Sequence, residues 1–232
     1  MAIARDTYLA MSDNTGTTVT KSYTVSGANR LLLVFIHSWV GDNVSGVTYN
    51  GVAMTQTLKQ NEAPATNYNG YIYSLIAPAT GTNNIVVSGT SMNFSMGAIS
   101  YTGVAQTGFP DATAVAKSQV ANVTGTITTV ADNAGIVGLF SNDNSMLAAV
   151  TNMSIVTGTG LIAAIFESSS FPLTPAGSYS ITGNHSGGSW NGMVIVSFAP
   201  AVAAPATGNF PFEAVHSLDW LVAKFQPPWG II

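Results

Sequence analysis

Val47-Thr48-Tyr49-Asn50-Gly51-Val52-Ala53-Met54 is the stretch that decides the fold class. Two short runs alternate about Asn50-Gly51, the dipeptide that most readily takes the left-handed backbone of a tight hairpin turn. Alternation with period two sends successive side chains to opposite faces of a strand. The same grammar continues on both sides. Leu31 to Trp39 opens with an unbroken apolar run, which predicts a strand buried on both faces. Tyr71 to Ile76 leads into the turn Ala77-Pro78-Ala79-Thr80-Gly81-Thr82 and then into Asn84 to Ser88. Further strands are predicted over 96–101, 125–130, 135–140, 160–166, 178–182 and 193–198. Strands so spaced, with Gly, Pro and Asn between them, predict an all-β fold, a β-sandwich or jelly-roll-like domain. No strong helical stretch precedes residue 209.

The two halves of the chain echo each other. Asn29-Arg30-Leu31-Leu32-Leu33-Val34-Phe35-Ile36-His37-Ser38 is similar to Asn133-Ala134-Gly135-Ile136-Val137-Gly138-Leu139-Phe140-Ser141. Residues 71–104 are similar to 161–200: strand, Pro/Ala/Gly turn, strand, loop, closing strand. Duplication within one sandwich and the repetitive grammar of β proteins both account for this. One domain over 1–200 is expected, because neither half alone offers enough strands to cover its apolar face.

After Pro200 the character changes. Residues 201–208 (Ala-Val-Ala-Ala-Pro-Ala-Thr-Gly) read as a linker. Residues 209–232 read as a short amphipathic helix and tail: Asn209 as N-cap, Pro211 in the first turn, Pro227-Pro228 at the end. Phe212, Val215, Leu218, Leu221, Val222 and Phe225 recur at helical spacing. Glu213 and Lys224 lie where the helix dipole favours them. Burying each large apolar side chain is worth about 1.5–3 kcal/mol. Two destinations stay open: this segment folds back on its own sandwich, or it docks on a neighbouring subunit. In the docking case Phe210, Phe212, Val215, Leu218, Trp220, Leu221, Phe225, Trp229, Ile231 and Ile232 are the interface residues.

Composition narrows the function classes. Charged residues are 7% of the 232, against 47% hydrophobic, so the polar surface must come from Ser, Thr, Asn, Gln and Gly. Such a surface suits a protein packed against copies of itself or other subunits, since free monomers usually carry charges of both signs. No basic residue lies between Lys117 and Lys224, so the clustered cations that nucleic acid requires are absent. There is no cysteine, which excludes disulfides and thiolate chemistry. The N-terminal Met1 to Tyr8 does not read as a secretory signal, and the apolar run 31–36 is too short for a bilayer, so no membrane partner is expected.

Candidate chemistry is sparse. No Gly-x-Ser-x-Gly elbow occurs, and His37, His185 and His216 stand in unrelated contexts. The acids sit mostly beside turn residues: Asp13-Asn14, Asp42-Asn43, Asp111 after a proline, Asp132-Asn133 and Asp143. Glu62 and Glu167 are exceptions, with nothing marking them as a pair. Asn142-Asp143-Asn144-Ser145 and Asp42-Asn43 offer oxygens to calcium but lack the several carboxylates of a calcium loop. Trp39, Tyr49, Tyr68, Tyr71, Tyr73 and Trp190 could line a sugar platform. Most fall at core positions, which leaves Tyr68 and Trp190 as the candidate glycan contacts. No cofactor, metal ligand or catalytic residue is predicted.

The run Asn29 to Val34, then Val47 to Met54, Tyr71 to Val87 and Ala98 to Val104, closed by Trp190 to Pro200, resembles a β-sandwich module. That module recurs in tailed-phage structural proteins and in bacterial surface proteins of unassigned role. The resemblance covers roughly residues 20–200. It carries no catalytic pattern to transfer, and fold alone does not license one. It implies a non-catalytic structural subunit of a virus particle, made in the host cytoplasm: a capsid decoration, fibre or tail-associated protein. Its expected partners are copies of itself or other virion subunits. A carbohydrate-binding, adhesive surface module is the alternative.

Overall fold

Alternating and apolar runs form strands, and strands are the regular elements of the described residues. The computed structural model describes residues 2–61, 68–120, 122–142, 147–151, 153–158, 163–168, 173–185 and 190–202. The expected helix and tail over 209–232 lie outside them. The first half contains β1 (Ala4–Val25), β2 (Leu31–Ser38), β3 (Val44–Tyr49), β4 (Val52–Ala53), β5 (Thr55–Asn61), β6 (Asn69–Ile76) and β7 (Gly81–Thr102). The second contains β8 (Ala112–Ser118), β9 (Asn122–Thr128), β10 (Gly135–Asn142), β11 (Leu147–Thr151), β12 (Met153–Thr157), β13 (Ala163–Ser168), β14 (Ser178–His185) and β15 (Asn191–Phe198). All their pairings are antiparallel.

Asn50 and Gly51 form the β3–β4 turn with φ of 50° and 76°, the left-handed pair the sequence calls for. Two stretches depart from expectation. Asp13-Asn14 is not a turn; both residues lie inside β1, opposite Ser95 and Phe94. The expected strands at 84–88 and 96–101 are parts of one strand, β7, which β1 follows along its length. Both strands bend midway, where Gly16 has φ 125° and Ser91 has φ 47°.

The two halves have the same topology. In the first, β7 pairs with β1, β2 and β3, β2 with β6, and β6 with β5. In the second, β15 pairs with β8 and β10, β14 with β9 and β11, β10 with β13, and β13 with β12. Each of these pairings has a counterpart, with β8–β9 and β14–β15 cut where β1 and β7 bend, and only the short β3–β4 hairpin lacks one among the described residues. Irregularities repeat as well. The β5–β6 register skips between Gln56 and Leu58, and β12–β13 skips between Ile155 and Thr157. The β3–β7 register skips between Val44 and Gly46, and β11–β14 between Leu147 and Ala149. Asn29 and Asn133 take the same positive φ before β2 and β10, 51° and 62°. Repetitive grammar alone does not place bulges at matching sites; duplication does.

Among the described residues the strands enclose three apolar cores. One belongs to the first half and includes Leu32, Val34, Ile36, Tyr49, Tyr71 and Phe94. One belongs to the second and includes Ile136, Phe140, Phe166, Ile181 and Ile195. The third lies between the halves: Leu31, Leu33, Phe35, Ile72, Ile99 and Tyr101 meet Val137, Leu139, Ile165, Val194, Val196 and Phe198. Alternation explains how β2 serves two cores at once, with even positions facing one and odd positions the other. The same positions of each half face the shared core, so the contact is isologous, like that of a symmetric dimer. The exit segments of the halves pair antiparallel at Val104–Pro200. Ala201 still belongs to this body, donating its N–H to the Gly103 carbonyl at 2.7 Å, and the compact unit ends at Val202.

Candidate functional site

The described carboxylates are spent on holding strands together. Asp6 in β1 accepts the Ser26 N–H at 2.8 Å, the Ser26 hydroxyl and the Ser100 hydroxyl at 3.0 Å. Asp111, just before β8, accepts the N–H groups of Val130 (2.9 Å) and Ala131 (3.0 Å) and the Ser197 hydroxyl (2.9 Å). Ser100 and Ser197 occupy corresponding places in β7 and β15, so the duplicated fold carries a duplicated tie. In the first half the tie extends inward: the Tyr23 hydroxyl donates to Ser100 Oγ at 3.0 Å, and burial pushes its pKa up to about 12. Asp132 caps the Ala176 N–H at 2.6 Å, and Asp13 accepts from the Ser95 hydroxyl.

Where the halves meet, Glu167 is the one buried carboxylate among the described residues. Its Oε1 accepts from Arg5 Nη1 at 2.7 Å and its Oε2 from the Tyr101 hydroxyl at 2.8 Å. Burial raises its pKa above the usual range, against the opposing pull of these two partners. Burial also drives the Tyr101 phenol well above its ordinary value. Arg5 and Tyr101 come from the first half and Glu167 from the second, so this cluster spans the junction. It is a tie, since Glu167 and its partners already satisfy one another.

At the far end of β2, His37 is buried between Trp39 and Tyr68, with ring centroids 5.9 and 5.8 Å away. Nearby, Asp42 accepts from Lys59 Nζ and from the Tyr71 hydroxyl at 2.8 Å. The Lys59 bond is the main reason its pKa is lowered. Asp42 thus serves as an ion-pair partner, and among the described residues no group of three or more His, Cys, Asp or Glu is placed to hold a metal.

Tyr68 and Trp190 are both half-buried, immediately before β6 and β15, and belong to different halves. Tyr49, Tyr71 and Tyr73 are core residues, as their alternation predicts. Glu62, Asp143, His216 and all ten tail residues lie outside the described residues. Sequence reasoning passed over Asp6, Arg5 and Tyr101, and had no way to pair Glu167. Only an acid at the start of each half, Asp6 within β1 and Asp111 just before β8, hints at the tie.

The open spaces are shallow. The junction has a cleft of about 440 Å³ lined by Thr55, Gln56, Thr57, Ser74, Phe109 and Pro110 among others. A second, of about 490 Å³, lies over β3 and β4 near Ser45, Met54 and Tyr73. Neither gathers a nucleophile, a base and an oxyanion site. Among the described residues no helix is long and apolar enough to cross a membrane. No family model, curated protein or solved structure matches the chain.

Proposed function

We propose that this chain is a non-catalytic structural subunit of a larger assembly, a virus particle, acting as a capsid decoration, fibre or tail-associated protein. One observation carries the reading. All six described carboxylates, Asp6, Asp13, Asp42, Asp111, Asp132 and Glu167, are bound to groups of their own fold. An enzyme instead keeps acids converging on a cleft, with shifted pKa values serving a substrate. The surface left outside is hydroxyl- and amide-rich and nearly uncharged, which suits permanent packing against neighbours. The resemblance of residues 20–200 to phage structural modules supplies the kind of assembly. The apolar residues of 209–232 supply a docking segment toward copies of the chain or other particle subunits.

Negative-stain electron microscopy of the full chain tests this. Particles of one size with rotational symmetry are the expected result. A field of dispersed monomers at every concentration tried would count against the proposal.

A further inference from the structure

An isologous contact makes each junction feature twice, and here the two versions differ. Glu167 pairs with Val137 across β10–β13 as Ser74 pairs with Leu33 across β2–β6, so Ser74 is the counterpart of Glu167. Phe198 is likewise the counterpart of Tyr101, through their partners Gly135 and Leu31. At the first version the start of β1 sends Arg5 across to Glu167, and Tyr101 joins them. At the second the segment entering β8 brings Phe109 and Pro110 beside Ser74, and among the described residues no charged side chain lines the gap. A small hydroxyl stands where a glutamate would be, and a cleft of about 440 Å³ remains, within the size of small-ligand sites.

We propose that this open junction cleft binds a neutral saccharide. None of its lining side chains ionises, so a phosphate, carboxylate or cationic ligand finds no counter-charge there. One wall is polar: Thr55 and Thr57 on β5, with Ser74 behind them. The Gln56 side chain turns to the other face of the sheet, where its Oε1 accepts from the Tyr73 hydroxyl at 3.1 Å, so the hydroxyls of Thr55, Thr57 and Ser74 make the polar wall. Thr57 Oγ1 donates to Ser74 Oγ at 2.6 Å, which leaves its lone pairs as acceptors. The opposite wall is apolar: Phe109 and Pro110, with Leu75 and Ile76. An apolar ligand would strip water from these hydroxyls without replacing it. A pyranose meets both walls, laying a C–H face on the electron-rich Phe109 ring while its hydroxyls reach Thr55 and Thr57. The β5 strand is the edge of its sheet, so the polar wall is open to ligand along one side.

This site is independent of the assembly reading, and either can fail alone. The test is calorimetric titration of the full chain with cello-, malto-, xylo- and chito-oligosaccharides at millimolar concentration, followed by hydrogen-exchange mass spectrometry. One of the four is expected to bind and to protect the peptides holding residues 55–57 and 109–110. Thr57→Val, which keeps the shape and removes the hydroxyl, is expected to weaken that binding roughly tenfold, the loss of one good hydrogen bond. Phe109→Leu, which keeps the apolar packing, should weaken it as well. Absence of heat and protection across all four sugars would overturn the proposal, and so would protection centred on Tyr68 or Trp190.

Discussion

Ser197 Oγ donates to Asp111 Oδ2 at 2.9 Å, and Ser100 Oγ makes the same bond to Asp6 Oδ2 at 3.0 Å. Each aspartate also caps backbone N–H at a corner, Asp6 at Ser26 after β1 and Asp111 at Val130 and Ala131 after β9. One carboxylate thus joins the entry of a half, its closing strand and the corner between its layers. A short acidic side chain suits this role because an ionised carboxylate accepts several bonds at once and strengthens each of them.

Removing either tie is expected to cost the fold about 2–3 kcal/mol, since charged acceptors are lost and their donors left unpaired. Asp6→Ala and Asp111→Ala should therefore lower the urea midpoint by similar amounts. The sites share no partner, so the double variant should be close to additive. Urea unfolding followed by fluorescence measures this, and a loss below about 0.5 kcal/mol for either variant would mean the bonds are incidental.

Glu167 predicts a pH dependence with a definite sign. Its pKa in the fold is raised above 4.5, chiefly by burial. The folded chain therefore binds more protons than the unfolded chain over that interval, and this group's contribution falls as pH rises through it. Glu167→Gln keeps a hydrogen-bonding group but cannot ionise. Wild type minus variant stability, from urea titrations at pH 4 and pH 7, should shift against the wild type at the higher pH. A shift in its favour would mean that the Arg5 ion pair outweighs burial.

Gly138 is a packing requirement rather than a turn. A Cβ built there would lie 2.4 Å from Phe166 Cζ and 2.6 Å from the Val194 carbonyl oxygen. Backbone cannot step aside as a flexible side chain can, so Gly138→Ala is expected to cost about 1–3 kcal/mol or more. Thermal melting checks it, with Gly81→Ala as a contrast of another kind: there space is open, but φ is 88° and the cost is backbone strain alone.

The strand grammar of the core was legible because burial on two faces leaves a plain apolar signature, as in Leu31 to Ile36. β1, β5 and β8 were not, because they lie at sheet edges or bends and carry Ser, Thr, Gln and Lys in place of apolar residues. The echo between the halves was visible at residues 29–38 and 133–141, yet sequence could not separate duplication from convergent strand grammar. Matching bulges and matching aspartate ties separate them. The reasoning that neither half covers its own apolar face holds for one face only. Each half encloses a core of its own and leaves the Leu33–Phe35 face, or its Val137–Leu139 counterpart, to the other. The junction cleft could not be anticipated, since Ser74 and Phe109 are 35 residues apart and belong to different halves.

That shared core also predicts cooperativity. Phe35 and Leu139 are fully buried between the halves, so unfolding one half exposes apolar surface on the other. Scanning calorimetry should show a single transition, with Phe35→Ala lowering it for the whole body by the ~3–5 kcal/mol of a lost core phenylalanine. Two resolved transitions would mean that the halves fold independently.

The assembly claim is tested most directly by sedimentation velocity on the full chain beside a chain ending at Val202. The account predicts a discrete oligomer for the full chain, stable on dilution, and its loss when residues 203–232 are removed. A full chain that sediments as a monomer at all concentrations, or an oligomer unchanged by the truncation, would contradict it.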